Sequence, residues 1–317
     1  MAELFFAVNN KKQQPVQIDA RDKSGNTPLH LALDYCLKFT AEILLRRGAD
    51  VNLVNAEGLT PLHIICRKDY DAELVKIFFE ITDDSQLKQQ INAVDKKGRT
   101  PLQLAVANLL PDVVEFLLDH GADDLSGFVF PSESDLNEEF ELQDYNILSD
   151  SPLRLASGML ACVELLEKRG FQLDRSDALA IMNVFAKHNV FGKPTDLDES
   201  CFDDESFARE TKEIEVRPGL SLYDFVRSPP EEAAKLLTYM EYFRFSRSKY
   251  SQYHRQGPRE ACTAPLCQIL SRGFFQRWSM DPVMELICYQ LPILCCDMII
   301  QQLSNKDLLN ICLALRA

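Results

Sequence analysis

One hexapeptide occurs three times in the first third of the chain and limits what this part can fold into. It reads TPLHLA at residues 27–32, TPLHII at 60–65 and TPLQLA at 100–105. The first two copies are 33 residues apart, and the third follows after 40 because of an insertion around residues 82–90. Repeats of this length are single supersecondary units that cannot bury an apolar face alone, so neighbouring copies must stack. The spacing therefore predicts a solenoid.

Each copy carries the signals of a helix pair. Threonine is a favoured N-cap, and proline suits the first helical turn because its missing N–H has no partner to lose there. The apolar residues after the proline predict a short inner helix. A second, outer helix is predicted over residues 41–45, 73–78 and 113–118. Gly48 and Gly121 supply the left-handed conformation that commonly ends a helix.

The period, the TPLH hexamer and the Gly-Ala-Asp endings at 48–50 and 121–123 resemble the ankyrin repeat. The resemblance covers about residues 1–125. It implies an all-α solenoid that offers a rigid surface to a protein client and performs no chemistry of its own.

A degenerate continuation of the repeats is predicted beyond residue 125. A fourth helix–turn–helix copy begins at Ser151-Pro152-Leu153 and runs to Gly170, after an extra loop over residues 126–150. A weaker fifth pair is predicted over 176–188. We therefore assign residues 1–190 to ankyrin repeats.

The histidines of the hexamer, His30 and His63, have two interpretations. They could ligate a metal or act in catalysis, but no Cys or carboxylate lies at ligand spacing, and we expect them to hydrogen-bond locally between repeats. No Gly-rich phosphate loop or GxSxG motif is present. A cysteine nucleophile lacks a motif as well, since only His254 lies within ten residues of Cys262. We expect no catalytic residue, cofactor or metal, and the cysteines are interpreted as reduced core thiols.

The turn before each hexamer is the expected contact surface for the client. Exposed loops on a rigid scaffold are where binding residues concentrate. Solvated turns without a ligand are the alternative. The predicted client-binding residues are Arg21, Asp22, Lys23, Val54, Asn55, Ala56, Val94, Asp95 and Lys96.

The charge of the chain is uneven. The net charge is −14, and residues 126–219 alone hold 9 basic and 20 acidic residues, a net −11. This balance predicts an acidic linker over 191–217 and argues against binding to nucleic acid. The basic and aromatic stretch at 244–259 is interpreted as a solvated helix face. Neither a secretory signal nor an apolar run of membrane-spanning length is present, so we expect no membrane partner and a cytoplasmic location, with the nucleus as the alternative.

Two apolar helices are predicted near the C-terminus. The first runs from Leu291-Pro292 to Leu303, and the second follows the polar turn Ser304-Asn305-Lys306-Asp307. The pattern resembles the opening of an F-box. Its place after ankyrin repeats resembles the PRANC domain of poxvirus and parasitoid-wasp proteins, over roughly residues 218–317. The acidic residue usual after Leu-Pro is replaced by Leu294-Cys295.

The F-box resemblance implies that this helical module binds the Skp-type adaptor of a cullin ubiquitin ligase, in a host–parasite setting. Two alternatives stay open. The helices could be core helices only, and the protein could be an ankyrin scaffold that sequesters a signalling factor, as inhibitory NF-kappaB-type proteins do. The residues expected to contact the adaptor are Leu291, Pro292, Ile293, Met298, Ile299, Leu303, Leu308 and Leu309.

Overall fold

The computed structural model contains two compact units, both largely helical. The first unit comprises residues up to 129 with 169–171, and the second comprises residues 130–168 and 172–317. Helix accounts for 65% of the structure and strand for 2%, which confirms the all-α prediction. The residues that the structure describes are 17–68, 72–122, 124–142, 152–191, 204–248 and 258–315.

The first unit is built from the predicted helix pairs. Each hexamer begins an inner helix (α1, α3, α6), and an outer helix (α2, α4, α7) follows it. The insertion between the second and third repeats forms one more helix, α5. The elements are α1 (Pro28–Asp34), α2 (Lys38–Arg46), α3 (Pro61–Ile65), α4 (Ala72–Ile81), α5 (Asp84–Gln90), α6 (Pro101–Ala107), α7 (Pro111–Asp119) and a 3-10 turn (Leu125–Gly127).

The core of the first unit follows from the hexamer. Its leucine is Leu29, Leu62 and Leu102 in the three copies, and none of these side chains is more than 3% exposed. Full burial of such a side chain contributes roughly 1.5–3 kcal/mol relative to exposure. The apolar residues of the hexamer therefore hold neighbouring repeats together.

The loop from inner to outer helix turns through a left-handed residue. Cys36 and Leu109 each have a φ of 55° and lie at the same place in the first and third repeats. Residues with a Cβ atom seldom adopt this conformation. The turn is closed by a backbone hydrogen bond from Leu37 N–H to the Ala32 carbonyl, at 2.8 Å.

The second unit is arranged around one long helix, α15, which packs against α9, α16 and α17. Phe275 of α15 is fully buried, and its ring centre lies 6.4 Å from that of Phe185 on α10. The elements are α8 (Glu133–Leu142), α9 (Pro152–Lys168), α10 (Arg175–Lys187), α11 (Glu205–Lys212), the antiparallel strands β1 (Glu215–Arg217) and β2 (Leu220–Ser221), α12 (Leu222–Arg227), α13 (Pro230–Leu236), α14 (Tyr239–Arg247), α15 (Pro258–Leu286), α16 (Ile293–Gln302) and α17 (Asn305–Ala314).

The degenerate fourth repeat is corrected to a single helix. α9 is unbroken over its 17 residues, and residues 157–160, in the middle of the expected helix–turn–helix, are all buried. The Ser157 hydroxyl donates to the Leu153 carbonyl at 2.6 Å, so its polar group is satisfied within the helix. The predicted fifth pair is likewise one helix, α10. Both helices belong to the second unit, whereas the sequence places a boundary near residue 190.

The acidic middle of the chain is more regular than predicted. The expected loop over 126–150 contains α8, and the expected linker over 191–217 contains α11 and β1. Acidic residues occupy the first turn of α8 and of α11, where the helix dipole favours negative charge. Segments 143–151, 192–203 and 249–257, which include His254, lie outside the described residues.

Two further findings concern the described part of the chain. None of its helices is long and apolar enough to cross a membrane. No disulfide links its cysteines. Burial raises the pKa of the Cys66 and Cys267 thiols, which keeps them protonated as apolar core groups.

Candidate functional site

The turns before the three hexamers are closed by one side chain each, at the same position. Its oxygen accepts hydrogen bonds from the backbone N–H groups two and four residues later. The donor–acceptor distances are 2.9 and 2.8 Å at Asp22, 2.9 and 3.0 Å at Asn55, and 2.9 and 2.8 Å at Asp95. These three side chains therefore shape the turns.

Neighbouring turns are joined by backbone hydrogen bonds. Ala56 N–H donates to the Ser24 carbonyl at 2.8 Å, and Lys96 N–H donates to the Glu57 carbonyl at 3.0 Å. The approach is close: a Cβ added at Gly58, whose φ is +79°, would lie 3.0 Å from the Lys96 nitrogen. The turns are therefore held as one rigid row.

The hexamer histidines join one repeat to the next. His30 Nδ1 accepts from Thr27 N–H at 3.3 Å, so Nε2 carries the proton and donates to the Leu59 carbonyl at 3.0 Å. His63 repeats the pattern and donates to the Arg99 carbonyl at 3.2 Å. Burial lowers the pKa of both histidines, in agreement with a neutral ring. Both rings therefore link neighbouring repeats by hydrogen bonds.

Glutamine takes the place of histidine in the third repeat. Gln103 Oε1 accepts from Thr100 N–H at 2.9 Å, and its Nε2 donates to the Val129 carbonyl at 3.0 Å. An amide supplies the same acceptor and donor as the neutral imidazole. The role at this position is therefore hydrogen bonding, which needs no titratable group.

The structure separates the predicted client-binding residues into two groups. Arg21, Lys23, Val54, Ala56, Val94 and Lys96 are exposed on the row of turns. Asp95 is corrected to a buried residue, 6% exposed, and Arg99 forms an ion pair with it at 2.9 Å. Asn55 is half-buried, and Asp22 is exposed but closes its own turn.

The predicted adaptor-binding helix carries apolar side chains outward. Cys296 and Ile300 of α16 are fully buried, whereas the opposite face is exposed. Leu291, Leu294 and Met298 follow helical spacing and are exposed by 40%, 75% and 67%. We call this helix face, completed by Ile293 and Ile299, the apolar surface. Leu286, Tyr289 and Leu313 on the flanking elements are exposed too.

The sequence pattern missed part of this surface and misplaced another part. Leu294 was predictable from its spacing to Leu291, but the resemblance counted it only as a departure. Leu308 and Leu309 are corrected to core residues, 0% and 5% exposed, so they cannot contact a partner directly. Leu303 is half-buried, and Pro292 is exposed as the N-cap of α16.

Arg272 of α15 holds the end of α16. Its Nη1 donates to the Leu303 carbonyl at 2.6 Å and to Asn305 Oδ1 at 3.1 Å, and its Nη2 donates to the Ile300 and Gln301 carbonyls at 2.8 and 3.0 Å. Carbonyls in the last turn of a helix lack the N–H partner of a further turn, and a cation is favoured at this end; the Ile300 carbonyl also accepts from Leu303 N–H at 3.2 Å. Arg272 therefore fixes the position from which α16 presents the apolar surface.

No group of three or more His, Cys, Asp or Glu side chains that could hold a metal ion occurs in the part of the chain that the structure describes. The chemistry available at both surfaces is recognition by shape, apolar contact, hydrogen bonding and charge.

Stacked helix pairs linked through hexamer side chains and turns make the first unit a repeat protein of the interaction class. A family model described as ankyrin repeats (3 copies) matches residues 36–126. The chain therefore contains ankyrin repeats, as predicted. Such repeats imply protein–protein interaction and are generally non-catalytic scaffolds.

The relatives share the repeats. An ankyrin repeat protein of Fowlpox virus (strain NVSL) is 31% identical over 96 residues, 30% of this chain and 28% of that protein. The "Probable 26S proteasome regulatory subunit p28" of Saccharomyces cerevisiae is 31% identical over 126 residues, which are 38% of this chain and 53% of that protein. Rabankyrin-5 of Homo sapiens is 35% identical over 88 residues, 28% of this chain and 7% of that protein. The chain thus spans about half of these relatives at most.

Proposed function

We propose that the protein is a non-catalytic bridge. Its ankyrin repeats bind a client protein, and α16 recruits the Skp-type adaptor of a cullin ubiquitin ligase, in the cytoplasm or the nucleus. Ubiquitin transfer to the client then follows from proximity, because tethering raises the effective concentration of the two partners.

The exposed apolar surface of α16 carries the proposal. A helix that packs against its own unit with Cys296 and Ile300 normally turns polar residues to water. Here Leu294 and Met298 face outward instead, at 75% and 67% exposure. Clustered exposed apolar side chains of this kind mark interaction sites, and an apolar helix face laid against a groove is a recurring mode of protein recognition.

Charge supports a protein partner at this surface. Between residues 286 and 315 the charged residues are Asp297, Lys306 and Asp307. Asp307 accepts from Ser304 N–H at 3.0 Å as part of the cap of α17. The surface is therefore nearly neutral, which suits burial against another protein better than contact with phosphate groups.

The test measures binding of the full chain to recombinant Skp adaptor by biolayer interferometry. We expect Leu294→Glu and Met298→Glu each to weaken binding by about tenfold or more, since a buried charge would replace an interface anchor. Gln302→Glu, on an exposed polar position of the same helix, is the matched control and should bind like the natural sequence. Absence of binding by the unsubstituted chain contradicts the proposal.

A scaffold that sequesters a signalling factor without ubiquitination is the second candidate. The replacement of the usual acidic residue by Leu294-Cys295 favours it, because the adaptor then loses one charged contact. In cells, the client's level should rise on proteasome inhibition if the bridge operates. A client level that is insensitive to the inhibitor and to Met298→Glu favours sequestration.

A further inference from the structure

The row of turns in the first unit differs in charge and exposed apolar residues from the chain as a whole. The residue before each turn-closing side chain is Arg21, Val54 and Val94 in the three turns. The two valines are 41% and 60% exposed, and both lie on the row of turns, whereas the exposed Tyr35, Leu37 and Phe39 lie outside it, between α1 and the start of α2. Exposed apolar side chains recurring at one repeat position form a stripe, which we call the valine stripe.

Cations surround the valine stripe. Lys23 and Lys96 are exposed at the position after the turn-closing side chain, and Arg21 is exposed while donating to the Val54 carbonyl at 3.0 Å. None of these three side chains forms an ion pair with a carboxylate among the contacts that fix the turns.

The acidic groups of the row are engaged elsewhere. Asp95 is buried and paired with Arg99 at 2.9 Å. Burial alone would raise the pKa of Asp95, but hydrogen bonds from Arg99 and Lys97 hold it below the ordinary value. Glu57 lies 3.5 Å from Arg67. Asp22 and Glu57 are the exposed carboxylates of the row; backbone N–H groups bind Asp22, and Glu57 has the Arg67 cation beside it. The row is therefore basic although the chain is acidic.

The geometry points to a client segment that is acidic and contains apolar residues, bound along the row of turns. This inference rests on the proposed client-binding role of the repeats and names the chemistry of the partner. Carboxylates of the segment would meet Arg21, Lys23 and Lys96, and its apolar side chains would cover Val54 and Val94.

A protein segment fits the row better than a phosphate polymer or a lipid surface. Exposed valines contribute nothing to contacts with phosphate, whereas interfaces between proteins combine apolar centres with complementary charge at the rim. The row is also held rigid by its backbone ladder, so little ordering of the protein opposes binding.

The test selects random linear peptides displayed on phage against the immobilised full chain. We expect enriched peptides to carry excess Asp and Glu together with apolar residues. The most enriched peptide is then synthesised and its affinity measured. The double variant Lys23→Glu, Lys96→Glu and the single variant Val94→Asp should each weaken it by about tenfold or more. Raising the salt from about 0.05 M to about 0.5 M should weaken it too, because screening lengths shorten.

Matched controls keep the selection specific. Lys76→Glu on the exposed side of α4 and Val129→Asp, an exposed valine outside the row, should leave peptide affinity unchanged. Enrichment of basic or neutral peptides, no enrichment at all, or equal losses in the control variants overturns the inference. So does binding of single-stranded RNA or anionic vesicles that the double variant abolishes, because the row would then recognise phosphate.

Failure of this inference and failure of the proposed bridge can be told apart. The same variants are tested for binding to the Skp adaptor, which involves only the second unit in the proposal. Loss of peptide selection with intact adaptor binding removes the acidic-segment inference alone. Loss of adaptor binding by the unsubstituted chain removes the bridge, whatever the peptides show.

Discussion

The hexamers of the first unit and helix α16 of the second unit use apolar residues in opposite ways. In the first unit the leucines of the hexamer point inward, and what the repeats expose is mostly turn residues on a rigid backbone. In the second unit α16 keeps Leu294 and Met298 outside while the smaller Cys296 is buried. The apolar pattern of a sequence can therefore predict a helix without showing which apolar residues lie in the core and which lie at an interface.

A pair of matched truncations has the largest expected effect and tests whether the hexamer leucines and Leu294 differ in this way. Leu62→Ala removes a fully buried side chain from the repeats, and we expect it to lower the free energy of unfolding by about 2–5 kcal/mol. Leu294→Ala removes the same atoms from α16, where they are exposed, and should cost about 0.5 kcal/mol or less. Urea unfolding followed by circular dichroism measures both. Equal losses would show that the α16 leucine belongs to a core.

The role of Arg272 gives the next largest effect. Arg272→Met removes four hydrogen bonds to the end of α16 and the start of α17, and should destabilise the second unit by roughly 1–3 kcal/mol. It should also weaken adaptor binding, because the apolar surface loses its fixed position.

Arg277→Met is the matched control for Arg272→Met. Arg277 lies on the same helix and forms an exposed ion pair with Glu167 at 2.9 Å, so its loss should cost under about 1 kcal/mol. Similar melting temperatures and adaptor affinities for the two variants would contradict a positioning role for Arg272.

Removing the histidine hydrogen bonds between repeats should have a smaller effect on the free energy of unfolding. His63→Ala deletes the bonds to Thr60 and to the Arg99 carbonyl and should cost about 1–2 kcal/mol. His63→Gln should cost about half of that or less, since Gln103 makes the equivalent bonds in the third repeat. Denaturant titration of the two variants decides. If glutamine is as damaging as alanine, the ring does more than hydrogen-bond.

The smallest effect is a dependence on pH confined to the first unit. The folded state lowers the pKa of His30 and His63 by burial, whereas the unfolded chain binds protons near the ordinary value of 6.5. The stability contributed by the neutral rings is therefore complete above pH 6.5 and declines as the pH falls below it. The double variant His30→Gln, His63→Gln should flatten this decline in melting temperature. An unchanged slope would assign the acid sensitivity to carboxylates.

Sequence patterns predicted the first unit well because each repeat is specified locally. The Thr cap, the proline, the turn side chain and the glycine act within a few residues, so Thr27 and Thr60 could be assigned a role directly. Beyond residue 125 the same local signals gave a wrong prediction for the fourth repeat. A helix begins at Pro152 as expected, but residues 157–160, in the middle of the expected helix–turn–helix, are buried and continue the helix instead of forming a turn. That burial is a tertiary property, which no local pattern contains.

The candidate site was predictable to a similar degree. Exposure of Lys23, Val94 and Lys96 followed from turn geometry, whereas the inward orientation of Asp95 depends on its neighbour Arg99. On α16 the spacing of apolar residues indicated a helix, yet only packing against α15 determines that Leu294 lies outside. Leu308 and Leu309 were assigned to a partner because an apolar pair has the same pattern in a core and in an interface.

The left-handed residue between inner and outer helices also has an engineering consequence. Cys36 is exposed and holds a φ of 55°, a conformation that glycine adopts without the strain a Cβ atom creates. Replacing this residue by glycine should therefore stabilise the repeats at a position outside the row of turns. The substitution Cys36→Gly would relieve this strain and would also remove an oxidisable thiol.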